Sequence, residues 1–165
     1  MKDSVFSGLH PACVWAHFAT LCAIPRASKD EAALRDTLQQ WALARGLEAM
    51  VDAAGNLMIR KAASAGGEGR PGVVLQAHLD MVCQKNADSA HDFSMDPISP
   101  ELRDGWLVAA KTTLGADNGI GVALILAALD DDTLVHGSLE ALLTVDEEAG
   151  MGGARGLEPG LLRGQ

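Results

Sequence analysis

The chain reads as short apolar segments separated by polar, glycine-rich stretches. Val14, Phe18 and Leu21 recur at helical spacing ahead of Ile24-Pro25, where helix is disfavoured, which predicts a helix over residues 11–22. Ser28-Lys29-Asp30-Glu31 fits the S-x-x-E capping box and announces a second helix with an apolar stripe of Leu34, Leu38, Trp41 and Leu43, stopped by Gly46. Residues 47–51 and 56–60 read as the two strands of a hairpin. Residues 62–72 are small and Gly-rich, and an exposed loop is expected there. The run VVLQA at 73–77 predicts a central strand, residues 84–100 an irregular polar stretch, and residues 105–109 another short strand. Residues 120–129, rich in Ala and Leu, predict a buried helix. Residues 137–145 read as a buried strand, with helix left open by the same two residue types. Strand, long excursion, helix and strand in that order imply a sheet with helices packed on it.

Length and charge narrow the class. With 165 residues the chain can bury one real core and hardly two. A net charge of −9 argues against nucleic acid or an anionic membrane surface as partner, while leaving local cation binding open. No apolar stretch approaches the roughly 18 residues that a membrane span needs, and the first residues make a poor signal peptide. Cys13, Cys22 and Cys83 are odd in number and widely spaced, which points to reduced, packed thiols in a cytoplasmic protein.

Three polar groups interrupt this pattern where chemistry is most plausible. His78 and Asp80 close the apolar run 73–77, two apart and so on one face of an extended backbone, where an imidazole could bind a metal and a carboxylate orient it. Alone the pair is weak, since chance gives about 0.4 such pairs at this composition. Asp117 lies in Gly115-Ala116-Asp117-Asn118-Gly119-Ile120-Gly121, before the predicted helix. It could be a simple N-cap. A phosphate loop does not fit, because no Lys-Ser/Thr follows and the carboxylate would repel the anion. Asp146, Glu147 and Glu148 follow the last predicted strand and repel one another unless solvent or a cation spreads their charge. Asp130-Asp131-Asp132 serves as the contrast, a solvated turn with no second constellation facing it.

All three groups fall at the expected carboxyl edge of a sheet, where open α/β folds gather ligands. One His, one Asp and one or two Glu suit Zn²⁺, Mn²⁺ or Co²⁺. A neighbouring carboxylate that is not a ligand can then act as general base.

The segments LQAHLDMVCQKN, TTLGADNGIGVALILAAL and LLTVDEEAGMGGA, with HDFSMDPI at 91–98, resemble the M20 metallopeptidases, and among them the aminoacyl-histidine dipeptidase (peptidase D, Xaa-His dipeptidase, carnosinase-like) branch. The resemblance runs from about Leu9 to the end. It implies the three-layer α/β/α catalytic domain of zinc-dependent exopeptidases, a mixed sheet flanked by helices, incomplete over residues 1–165. It implies two divalent ions, zinc first with cobalt or manganese also fitting. His78 would bind one ion, Glu148 the other, and Asp117 would bridge them. Asp80 would orient His78, and Glu147 would be the general base toward a metal-activated water. The expected substrate is a dipeptide, Xaa-His preferred, in a cytoplasmic enzyme that is a homodimer at full length. A tripeptidase, an N-acyl amino acid deacylase or a non-catalytic metal- or partner-binding fragment are the alternatives.

The chain also departs from that family. A further acidic ligand, a last histidine ligand and a lid or dimerisation domain are not in it, and His136 matches no ligand motif. The expectation is an N-terminal part of the catalytic domain that has little activity alone.

Overall fold

The computed structural model describes residues 5–164. Helix α1 (Ala12–Ala23) buries Val14, Phe18, Leu21 and Cys22 on one stripe and ends at Ile24, ahead of Pro25. Helix α2 (Ala32–Leu43) buries Leu34, Leu38 and Ala42, whereas Leu43, expected in the stripe, is exposed. The chain reverses at Gly46, whose φ of +72° is costly for residues with a Cβ. Strands β1 (Glu48–Val51) and β2 (Leu57–Lys61) then form the expected antiparallel hairpin.

The expected capping box does not form. Helix α2 has Glu31 at its N-cap without a side-chain cap bond. The Ser28 hydroxyl instead donates to Asp80, and Glu31 accepts from the Asp146 amide. Long-range partners have outcompeted the local ones.

Strand β3 (Val73–His78) pairs in parallel with β6 (Leu139–Thr144), so that His78 lies beside Thr144. Between them run a small hairpin of β4 (Pro100–Arg103) and β5 (Trp106–Ala109), and helix α3 (Ala116–Asp130). β4 lies partly in the stretch expected to be irregular. A short helix, α4 (Gly152–Arg155), follows β6 and has no counterpart in the sequence reading. The main sheet is mixed, in the order β1-β2-β6-β3. Alternation along the strands sends Leu57, Ile59, Ala77, Leu139, Ala141 and Leu143 into one core with α1, α2 and α3.

One other expectation needs correction. Cys22 is buried and Cys83 packs half-buried against the core, but Cys13 is exposed; burial pushes the Cys22 pKa up to about 11. The loop at 62–72 forms as expected and is mostly exposed, tethered where the Ser64 amide donates to the His136 carbonyl and Gly67 packs against it. No helix among the described residues is long and apolar enough to cross a membrane.

The opposite face of β2 and β6 carries Arg60 and Glu140, paired across the strands. Glu140 accepts from Arg60 Nε at 2.8 Å and from the amides of Arg163 and Gly164, both at 2.7 Å. Burial raises its pKa, but the Arg60 bond and the two amides outweigh burial and hold it below the usual value. A depressed folded pKa gives stability that is present above the unfolded value of about 4.3 and lost as pH falls through the folded value. Glu140→Gln should therefore cost about 2 kcal/mol at neutral pH, with the deficit shrinking near pH 3. Urea unfolding at both pH values measures this, and an equal deficit at both would contradict the ionic role.

Candidate metal centre

Parallel pairing of β3 with β6 brings their carboxyl ends side by side, and the candidate residues emerge there. His78 is the last residue of β3 and is buried. Its Nδ1 lies 3.1 Å from the Asp80 carbonyl oxygen and 3.4 Å from Asp80 Oδ1. Its Nε2 faces Asp117 Oδ1 at 3.1 Å and Glu147 Oε2 at 3.9 Å. With Nδ1 donating to Asp80, the Nε2 lone pair is left toward the open side.

Asp80 is completely buried, and three donors saturate it. The Ser28 hydroxyl donates to Oδ2 at 2.7 Å, the Glu148 amide to Oδ2 at 3.0 Å and the Glu147 amide to Oδ1 at 3.1 Å. Burial raises the Asp80 pKa, but these three bonds and the facing imidazole outweigh it and hold the carboxyl below the usual range. Asp80 thus fixes the backbone of both glutamates through its carboxylate, while its carbonyl oxygen is the hydrogen-bonding neighbour of the His78 ring.

Asp117 stands in the first turn of α3 with extended rather than helical backbone angles, after Gly115 in the left-handed region at φ +72°. The N-cap reading fails: Gly115 holds that place, and no side chain caps the helix. The Asp117 side chain is exposed and reaches the cleft.

The acidic turn after β6 is held from below. Asn56, fully buried, donates to Gly153 O and Asp52 Oδ2 and accepts from the Val145 amide. Glu31, also buried, accepts from the Asp146 amide at 2.7 Å. Asp146 takes a positive φ of 55°, so the chain turns sharply there and presents Glu147 and Glu148 to the cleft.

The sequence-predicted residues therefore converge. His78, Asp117 and Glu148 each offer a ligand atom, all within 4.8 Å of one another. Glu147 stands beside them, and Asp80 lies beneath. One nitrogen and two carboxylate oxygens match the donor preferences of a borderline divalent cation. They line an open cleft of about 570 Å³ that has no Lys or Arg in its wall among the described residues. Asp130, Asp131 and Asp132 lie apart, paired with Arg45, Thr133 and Lys61. His136 precedes β6, at the far end of the strand.

Sequence reasoning missed Arg26, Ser28, Glu31 and Asn56 as parts of this region. Ser28 and Glu31 were visible only as a capping signal, and nothing local marked Arg26 or Asn56.

The sequence profile of peptidase family M20/M25/M40 matches residues 74–165. The chain is 53% identical over 155 residues to the cytosol non-specific dipeptidase of Escherichia coli, covering 94% of this chain and 32% of that protein. Its fold is similar to that of the aminoacylhistidine dipeptidase from Vibrio alginolyticus, with a TM-score of 0.95 and 51% identity, over 98% of this chain and 33% of that one. Aminopeptidase PepT from Bacillus cereus is more distant, with a TM-score of 0.77 and 25% identity over 92% of this chain and 41% of its own. The chain thus spans about a third of the length of the two dipeptidases.

Replacing Asp80 by Ala leaves two loop amides and the Ser28 hydroxyl without their acceptor. Asp80→Ala should destabilise the metal-free protein by about 2–3 kcal/mol. A chemical unfolding midpoint unchanged from wild type would mean that water replaces the carboxylate at no cost.

Proposed function

The chain belongs to peptidase family M20/M25/M40, and from that premise we propose that it forms the N-terminal part of the catalytic domain of a metal-dependent dipeptidase. The observation that carries the reading is the convergence of His78, Asp117 and Glu148 within 4.8 Å, with Glu147 beside them. The similarity to an E. coli non-specific dipeptidase and a Vibrio aminoacylhistidine dipeptidase supports dipeptides as the substrate class, with Xaa-His preferred and other dipeptides accepted. The cytosolic location named for the E. coli relative supports a cytoplasmic enzyme. A homodimer at full length is part of the same proposal, and only the resemblance to the branch supports it.

The donor set fits a pair of divalent cations, zinc first and cobalt or manganese by the same chemistry. His78 Nε2 would hold one, a Glu148 carboxylate oxygen the other, and Asp117 would serve both. When bound, such ions polarise the scissile carbonyl and make water acidic enough to attack at neutral pH.

The chain's own residues have distinct parts. Asp80 keeps the His78 ring in one tautomer and orientation. Glu147, whose backbone Asp80 holds while its carboxylate stays free, takes the proton from the attacking water. It then delivers that proton to the departing amine nitrogen as the C–N bond breaks. Water is thereby added across the peptide bond, leaving a free amino acid at each side.

Within this chain each ion has two protein donors, where a catalytic zinc usually has about three. The 165 residues alone should therefore hold metal weakly and turn over little.

The test compares this chain with the full-length protein for zinc content and hydrolysis of Xaa-His dipeptides, with tripeptides and N-acyl amino acids alongside. Full-length protein should bind about two zinc ions and favour dipeptides. His78→Ala should lose metal, whereas Glu147→Gln should keep it and lose at least about a hundredfold in kcat. Preferred cleavage of N-acyl amino acids would move the reading to a deacylase. Undiminished turnover by Glu147→Gln would remove that residue from the base role.

A further inference from the structure

Three turns carry the candidate donors, and residues 26–31 touch all of them. Arg26 is 2% exposed. Its Nη1 donates to the carbonyl oxygens of Leu79 at 2.8 Å and Asp80 at 3.3 Å, and its Nη2 to that of Gly115 at 2.6 Å. Leu79 follows His78, and Gly115 lies two residues before Asp117. The Arg26 carbonyl accepts the Met81 amide at 3.2 Å, and Ala27 and Met81 form an isolated parallel bridge. Further along, Ser28 reaches Asp80, and Glu31 reaches the acidic turn.

The space for this guanidinium is made by absent side chains. A Cβ on Gly115 would come within 2.4 Å of Arg26 Nη2, and one on Gly119 within 2.8 Å. Arg26 makes no ion pair with a carboxylate among the described residues. Its Nε is buried without a hydrogen-bond partner. Desolvating a cation in this way costs several kcal/mol, and an apolar side chain would fill the same volume more cheaply. Stability alone does not account for it. What the fork supplies is a fixed distance between two carbonyl groups on different turns, which a point charge cannot span.

We propose that Arg26 is a positioning residue for the metal centre, its guanidinium clamping the exit of β3 to the Gly115 turn and so setting the separation of His78 from Asp117. The clamp rests on the metal-site reading given above. It acts through backbone and touches neither cation nor substrate.

Arg26→Lys keeps the buried charge and removes the fork. In the full-length protein, zinc affinity measured by competition with a chromophoric chelator should fall about tenfold or more. The kcat for an Xaa-His dipeptide should fall with it at saturating zinc, with KM little changed, while the metal-free melting temperature stays near that of wild type. Unchanged affinity and kcat with a lowered metal-free melting temperature would reduce Arg26 to a structural residue and overturn the clamp. If Arg26→Lys does not fold, Gly119→Ala crowds the guanidinium, with Phe18 beside it, without altering charge, and Phe18→Leu in the same background relieves the Phe18 contact alone. Weakened zinc binding then supports the clamp, and wild-type affinity overturns it. Wild-type protein that binds no zinc would sink the metal-site reading itself, an outcome distinct from wild-type binding that Arg26→Lys leaves intact.

Discussion

Asp80 is a carboxylate removed from water, and most of what is ordered around the cleft follows from how its burial is compensated. An isolated buried carboxylate would protonate, because desolvation penalises the charged form. Here compensation comes from three directions: the Ser28 hydroxyl from the segment before α2, two amides from the turn after β6, and the facing imidazole of His78 from β3. Each donor is satisfied only if its segment lies in one place. The electrostatic need of a single group therefore fixes the mutual position of three pieces of chain that are far apart in sequence.

The sheet makes that convergence possible. Parallel pairing of β3 and β6 puts two strand exits at the same edge, and α3 enters beside them. An antiparallel pair would have sent the acidic turn to the opposite end. Asn56 and Glu31 then hold that turn from beneath, next to Val145, which packs into the core.

Much of this was legible in the sequence where local pattern and long-range structure agree. The α1 stripe, the β1–β2 hairpin and the apolar run into His78 have strong periodicity, and each formed where expected. His78, Asp117 and the acidic run 146–148 stood out because charged groups at the ends of apolar runs are costly and so require a reason, while the separate roles given to them came from the family resemblance. Ser28 and Glu31 were misread because the same two residue types that cap a helix also satisfy a buried carboxylate and a distant amide, and spacing does not distinguish these uses. Arg26 and Asn56 gave no signal, since their partners are mostly backbone atoms far away in the chain. α4 was hidden in a glycine-rich run with no periodic pattern, where close contacts with Asn56 and Asp146 leave no room for larger side chains.

Among the described residues the cleft wall contains Asp117, Glu147 and Glu148 and no Lys or Arg, and this has a consequence for traffic into it. By its own fixed charges the cleft is a potential well for positive ions and a barrier to negative ones, an effect that low ionic strength enlarges. The cleft therefore gathers divalent cations at its mouth before any ligand bond forms, and a pair of bound ions would reverse the sign of the field that drew them in.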